Sequence, residues 1–268
     1  MKHPIDKLDL VIWGKNSSRT LQRVMERIRQ VIPDKFVHKR IFIDEQSVDN
    51  TRDIARSFGW EVYDNEGIGV GDAANTALKY VESAYFATFE DDVLLAPNWW
   101  SRVPIPLIKQ DVAASQGVKV SDHPTLKCFD EFVIDMHKKF GDRIYIKNVG
   151  NTIFRTKVIR EIGGFPTTKF GGIDTVLARI IAREGYKWAI DHNVRCIHLR
   201  GNIQTQLRHY YRYGKTDPDY TLLNTTLMFL LSPLISTVIA LSKRKADIFY
   251  VYPLMRFMVL KGFLERGI

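Results

Sequence analysis

Three consecutive acids, Glu90-Asp91-Asp92, stand between two apolar runs, Tyr85-Phe86-Ala87-Thr88-Phe89 and Val93-Leu94-Leu95. Like charges at the end of a buried strand repel one another and resist desolvation. A divalent cation removes both problems. Hard carboxylate oxygens suit Mg2+ or Mn2+, which take one or two carboxylates and fill the rest of their shell with substrate phosphates and water. The competing reading is a solvated turn in which a strand runs out into a loop. The triplet alone does not decide between them.

Two further stretches carry matching chemistry. Asp44-Glu45-Gln46-Ser47-Val48-Asp49-Asn50-Thr51 follows an apolar strand and opens a helix. Asp, Ser, Asn and Thr are common capping residues, which accounts for much of the pattern. The functional reading is that Asp44 accepts a hydrogen bond from a nucleobase imide while the turn packs on the ribose. Gly67-Ile68-Gly69-Val70-Gly71-Asp72-Ala73-Ala74-Asn75 is a glycine loop at the start of a helix. Backbone N–H groups and the helix dipole can hold phosphate there. The loop has neither the dinucleotide fingerprint nor the Gly-Lys-Ser/Thr of a P-loop.

The elements that must position these residues alternate between strand and helix, the pattern of an α/β domain. Residues 8–13 read as a buried strand. Ser17 and Ser18 are expected to cap a helix that carries Leu21, Val24, Met25, Ile28 and Ile32 at a period near 3.6 and stops at Pro33. A strand over 39–44, a short helix over 51–58 with a Gly59 stop, a strand over 60–63, a helix over 73–81 and a strand over 85–89 follow. Further on, 112–120 reads as a strand, 129–140 as a helix, 148–155 as strand and turn, 158–162 and 174–184 as helices, and 188–191 and 194–198 as strands. In open α/β sheets ligands bind at the carboxyl ends of strands. Asp44 and the acid triplet both stand at such ends and are expected to face one cleft.

The order of these motifs resembles glycosyltransferase family 2, whose GT-A fold is an α/β architecture on a Rossmann-like mixed sheet. That family runs from a strand and Asn through Asp-x-x-Ser-x-Asp-x-Thr, a Gly-x-Gly loop with Ala and Asn, and Asp-x-Asp, to a later acid before an apolar helix. Here the corresponding residues are Val11-Ile12 with Asn16; Asp44, Ser47, Asp49 and Thr51; Gly69, Gly71 and Asn75; then Glu90 and Asp92. Ile162-Gly163-Gly164-Phe165 matches a recurrent family segment, and the resemblance covers about residues 8–200. It implies a donor site made of Asn16, Asp44, Asp72, Asn75, Glu90 and Asp91. Asp44 would sit on the base, Glu90 against the donor sugar or ribose, and Asp92 on the metal. Glu90 departs from the family's first-position Asp.

Gly171-Gly172-Ile173-Asp174-Thr175-Val176-Leu177 resembles the family's Gly-Glu-Asp-x-x-Leu segment, with Ile173 for the usual Glu. This implies that Asp174 is the catalytic base, which removes a proton from the acceptor. An N-cap aspartate is the competing reading. His198 ends an apolar strand, and the resemblance implies that it completes the metal shell; a core or surface histidine is the alternative. His209-x-x-Arg212-Tyr213 is loosely similar to the Gln-x-x-Arg-Trp element of membrane-bound processive members. It implies that Arg212 lies over the donor diphosphate, against a plain basic juxtamembrane helix. The activity implied is an inverting, Mn2+- or Mg2+-dependent hexosyl transfer from a GDP- or UDP-linked sugar.

Charge and hydropathy define the rest of the chain. The net charge is +9, and residues 206–268 hold nine Lys/Arg against four Asp/Glu, which is +5 of it. Such a tail fits nucleic acid or an anionic membrane. Hydrophobicity favours the membrane and argues against nucleic acid. Residues 220–242 contain no charged side chain, about the length that crosses a bilayer core. Arg208, Arg212 and Lys215 precede them and Lys243-Arg244-Lys245 follow. A second apolar stretch, 248–260, is interrupted by Pro253 and Arg256 and is short for a span. A buried helical hairpin is the competing reading.

The chain is therefore expected to divide into a catalytic domain, 1–205, and a membrane-associated helical tail, 206–268. A single span with a cytosolic catalytic domain would put Lys243-Arg244-Lys245 outside, against the positive-inside tendency. A re-entrant or interfacial hairpin at the cell membrane is expected instead. The acceptor is then expected in the membrane, as a polyprenyl phosphate or a lipid-linked glycan. Cys128 and Cys196 read as reduced thiols because the N-terminus has no apolar signal region, and no Cys/His spacing fits zinc. Two other classes compete. A nucleotidyltransferase that makes the sugar nucleotide needs a basic glycine-rich loop near the N-terminus, which Asn16-Ser17-Ser18-Arg19 is not. A non-catalytic membrane scaffold would have no need of Asp92 and Asp174.

Overall fold

The computed structural model describes residues 4–144, 146–167, 172–217 and 219–266. The first half alternates as expected: β1 (Leu8–Gly14), α1 (Leu21–Val31), β2 (Val37–Asp44), α2 (Thr51–Ser57), β3 (Glu61–Asp64), α3 (Val70–Tyr80) and β4 (Tyr85–Glu90). Then come β5 (Val93–Leu94), α4 (Trp99–Arg102), β6 (Val112–Ser121), α5 (Pro124–Phe140), β7 (Thr152–Arg155), α6 (Thr156–Glu161), α7 (Ile173–Arg183) and β8 (Lys187–His198). The tail is helical: α8 (Ile203–Thr216), α9 (Leu222–Leu230), α10 (Ser232–Lys243) and α11 (Ile248–Leu264).

The eight strands form one mixed sheet in the order β3-β2-β1-β4-β7-β6-β8-β5. β1 runs parallel to β2 and β4, and β3 parallel to β2, whereas β7 is antiparallel to β4 and β6, and β5 to β8. Both faces of β1 are covered, so it reads as a continuous apolar run. Leu8, Leu10 and Ile12 pack with Leu21, Val24, Met25 and Ile28 of α1 on one side. Val11 and Trp13 pack with Ala73, Ala74 and Ala77 of α3 on the other. Register brings the strand ends level: Gly14 pairs with Asp44, Asp44 with Asp64, and Trp13 with Glu90. The acids therefore share one edge of the sheet, as their strand-end positions imply.

The one polar residue inside β1 ties the layers together. Asp9 is fully buried and accepts hydrogen bonds from the N–H groups of Lys39 (3.1 Å), Glu82 (2.6 Å) and Ser83 (2.8 Å) and from the Ser83 hydroxyl (3.0 Å), with His38 Nδ1 at 2.9 Å. It pins the start of β2 and the turn before β4 to the central strand. Asp9→Ala strands these donors, and a buried donor without a partner carries its full desolvation penalty. The expected loss is about 3 kcal/mol, read as a lower denaturant midpoint at unchanged slope.

Several boundaries differ from the sequence reading. The two strands expected over 188–198 are one, β8, because α4 braces the His192-Asn193 stretch: Arg102 pairs with Asp191 at 2.7 Å, and the Asn98 amide donates to the Asn193 carbonyl. Thr20, not Ser17 or Ser18, precedes α1, and Ser17 is engaged elsewhere. α3 starts at Val70, so Gly71 and Asp72 lie in the helix and only Gly69, at φ 87°, makes the left-handed turn into it. α11 continues through Pro253, which removes one backbone hydrogen bond. Packing against α8, α9 and α10 holds the helix across that gap. Both cysteines are free and buried.

Contacts divide the chain into two compact units. The first comprises Met1–Lys119, Ile146–Thr167 and Ile173–His198; the second comprises Val120–Tyr145, Thr168–Gly172 and Leu199–Ile268. The second unit thus includes α5 in addition to the tail. Leu126, Cys128, Phe129 and Phe132 of α5 pack with Tyr210, Ile239, Ile248, Tyr252 and Met255. Among the described residues no single helix is long and apolar enough to cross a membrane. α9 and α10 meet that length and composition only as a pair, bent by 48°. The leucines at 222, 223, 227, 230 and 234 in these helices, and Leu231 between them, are exposed.

Candidate active site

Glu90 is the last residue of β4, and Asp92 stands just before β5. β5 pairs antiparallel with the end of β8, Val93 opposite His198. That register sets the imidazole beside the acids, with His198 Nε2 3.1 Å from Asp92 Oδ2. Glu90, Asp92 and His198 each offer a ligand atom, and these atoms lie within 4.8 Å of one another. Asp91 is not in that group. Hard oxygens with one imidazole nitrogen fit Mn2+ or Mg2+ better than a soft-metal site.

Lys119 completes the cluster from β6. Gln116, Thr152 and Thr88 are in register across β6, β7 and β4, and β6 runs in the same direction as β4. Lys119 therefore reaches the same edge as Glu90, and its Nζ lies 2.9 and 2.7 Å from the two carboxylate oxygens. Gly150 leaves the room for this contact, because a Cβ there would fall on the Glu90 side chain. Lys119 was not among the residues singled out from sequence. The available signal was a basic residue near the carboxyl end of an otherwise apolar strand.

Asp174 is the second residue of α7, so the N-cap reading does not hold. Its Oδ1 accepts the Val149 N–H at 2.6 Å. Desolvation by the surrounding protein pushes its pKa up to about 6, with Lys119 and the Val149 hydrogen bond opposing the rise. A carboxyl poised there can take a proton near neutral pH. Gly171 of the same motif lies outside the described residues.

Asp91 turns toward β1. Ser17 donates its hydroxyl to Asp91 Oδ2, and a Cβ on Gly14 would touch both side chains. Burial, opposed by the Ser17 bond and reinforced by the Asp92 and Glu90 charges, pushes the Asp91 pKa up to about 7. Asp44 is fully buried; its Oδ2 accepts from the Ser47 N–H at 3.0 Å and from Arg52 at 3.1 Å, while Oδ1 has no hydrogen-bond partner among the described residues. A buried acceptor left open is what a base N–H would satisfy. Asn16, left-handed at φ 53°, accepts the Val48 N–H and donates its own N–H to Ser47, so it joins the loop after β1 to the loop after β2.

The two α3 residues close loops. Asp72 accepts the Ile68 N–H at 2.9 Å. Asn75 clasps the Phe165 backbone, its amide donating to the carbonyl and its oxygen accepting the N–H, both at 2.8 Å. In the second unit, Arg212 is exposed on α8 with Nη2 3.3 Å from His209 Nδ1. The cluster of Glu90, Asp92, His198, Lys119 and Asp174 lies wholly in the first unit.

The model of the family "Glycosyl transferase family 2" matches residues 9–162, more than half of the chain. Glycosyltransferase AglE of Haloferax volcanii is 24% identical over 220 residues, covering 78% of this chain and 72% of that one. Among solved structures, the mannosyltransferase PcManGT of Pyrobaculum calidifontis, in complex with GDP-Man and Mn2+, superposes with a TM-score of 0.68 at 16% identity over 98% of this chain and 88% of that one. Glucosyl-3-phosphoglycerate synthase of Mycobacterium tuberculosis, with Mn2+, UDP and phosphoglyceric acid, gives 0.54 at 16% identity over 74% and 72%. The mixed sheet is that of a GT-A-like fold, and the family match favours neither the nucleotidyltransferase nor the scaffold alternative. The chain belongs to glycosyltransferase family 2 and is a glycosyltransferase.

Proposed function

We propose that this enzyme transfers a sugar, with inversion, from a GDP- or UDP-linked donor to a membrane-anchored acceptor, a polyprenyl phosphate or a lipid-linked glycan. The observation that carries the reading is the cluster of Glu90, Asp92 and His198 at the strand edge. Asp92 and His198 would hold Mn2+ or Mg2+, while Glu90 stays paired with Lys119. The ion would supply charge neutralisation for the departing diphosphate. Asp44 receives the base through its open Oδ1. Asp174 takes the acceptor proton. The complexes of the Pyrobaculum and mycobacterial enzymes with Mn2+ and a guanine or uracil nucleotide support this assignment.

The acceptor's place rests on the second unit. α9 and α10 expose leucines and carry no charge up to Lys243, where Arg244 and Lys245 follow. Apolar insertion beside basic flanks is the character of an interfacial segment. The test mixes the protein with vesicles that contain a prenyl phosphate or a lipid-linked sugar, with Mn2+ and GDP-mannose or UDP-glucose. Metal-dependent release of the nucleoside diphosphate is expected only when a lipid acceptor is present. The protein should stay with the vesicles at high salt, which screens charge but not apolar insertion. No release with any GDP- or UDP-sugar would reject the reading.

A further inference from the structure

Glu90 stands where the family pattern has the shorter Asp. Its longer arm has a fitted place. The Lys119 ammonium lies 2.9 and 2.7 Å from its two carboxylate oxygens. The two side chains are only 18% and 25% exposed, so water does little to loosen the pair. Gly150 faces the arm, and any side chain at that position would collide with the Glu90 Cγ and carboxyl carbon. Glu90, Lys119 and Gly150 come from β4, β6 and the turn before β7, three segments that only the fold brings together.

Mn2+ and Mg2+ take one or two carboxylates from a protein and leave the rest of the shell to phosphate and water. Asp91 is turned to Ser17, and both Glu90 oxygens face Lys119. Asp92 and His198 are then the members of the cluster placed to take the ion. Glu90 has a ligand atom within 4.8 Å of theirs, close enough to join them once its ammonium partner is removed. While Lys119 is in place, an ion that shared Glu90 would stand beside a second cation, and like charges at that range repel. One carboxylate and one imidazole make a weak site for a hard ion, which the oxygens of a diphosphate complete.

We propose that Lys119 is a positioning residue that holds Glu90 out of the metal shell, so that tight binding of the divalent ion depends on the nucleoside diphosphate. The inference rests on the assignment of the ion to Asp92 and His198. It goes beyond that assignment by fixing an order: the ion and the donor bind as one complex, because the acid that would let the ion bind first is already paired.

Mn2+ binding to the full chain is measured by the paramagnetic resonance signal of the free ion, first alone and then with saturating UDP or GDP. Binding rather than turnover is the readout, because the Lys119 charge also acts on Asp174. The parent should bind Mn2+ weakly alone and far more tightly with a nucleotide. Lys119→Met should raise the affinity for Mn2+ alone roughly tenfold or more, the scale on which outer-shell partners tune a metal site. The further gain from the nucleotide should shrink in that variant. Lys119→Arg, which keeps the cation, should stay near the parent. Made on a Glu90→Gln chain, Lys119→Met should give a much smaller rise, because the released ligand is no longer there. A Lys119→Met protein with a lower metal-free Tm and no rise in Mn2+ affinity overturns the proposal, since the lysine is then only a structural partner. So does a rise of equal size with and without the Glu90 carboxylate, which would mean that Lys119 acts on the ion by charge alone. A parent that binds Mn2+ as tightly without a nucleotide as with one also overturns it, and leaves the metal assignment standing. If neither nucleotide brings Mn2+ to the parent, the metal assignment fails and the proposal falls with it.

Discussion

Asp92→Asn should abolish Mn2+-dependent binding of a nucleoside diphosphate while the protein remains folded. The substitution keeps the shape of the side chain and removes the charge that a hard cation needs. Loss of an outer-shell partner alone typically lowers metal affinity 10–100-fold, so loss of a ligand should cost at least about 100-fold. Asp92 is half-exposed, and its neighbours Glu90 and Asp91 are also acids. Removing one of three adjacent charges relieves repulsion, so the metal-free Tm should be equal to the parent's or higher. Calorimetric titration of UDP and GDP, with and without Mn2+, reads the effect. Equal metal-dependent affinity in parent and variant would take Asp92 out of the site.

Asp174→Asn should leave donor binding intact and lower turnover by roughly 10²–10⁴-fold, the usual contribution of a positioned base. The pH profile gives a second readout. With a pKa of about 6, the carboxyl must be ionised to accept a proton, so kcat/KM of the parent should fall below about pH 6. Stability runs the other way. The folded-state pKa lies above the ordinary 3.8, so the native state holds the proton more tightly than the unfolded chain. This favours folding at low pH, and the advantage is lost as pH rises from about 4 through 6. Asn carries no such penalty, so at pH 7 the variant should melt no lower than the parent while its rate collapses. The acceptor's chemistry enters here too. A glycan hydroxyl has a proton to remove, whereas an ionised lipid phosphate does not. A variant that transfers to prenyl phosphate at near-parent rate would remove Asp174 from the base role for that acceptor.

Local periodicity made the first half of the fold legible. Buried parallel strands are apolar throughout, their helices follow a 3.6 period, and Asp44 and Glu90 stand visibly at strand ends. Pairing between distant segments is not written in local pattern. Nothing near His198 states that Val93 is its strand neighbour, and the histidine's place beside Asp92 came from family resemblance. Lys119 was missed for the same reason: its link to Glu90 runs through the register of three strands. In the opposite direction, the capping expected of Ser17 failed because a tertiary partner, Asp91, takes its hydroxyl. α5 gave no sign that it packs with the tail, since an apolar helical face does not name its partner.

β5 has only two residues and forms the end of the sheet, yet it carries the register that joins His198 to Asp92. Edge pairs of this length open readily, since few hydrogen bonds hold them. An ion held by Asp92 and His198 would close a loop of chain from residue 92 to residue 198 and would act as a staple on that edge. Its residence time would then depend on the stability of this two-residue ladder as well as on the metal–ligand bonds.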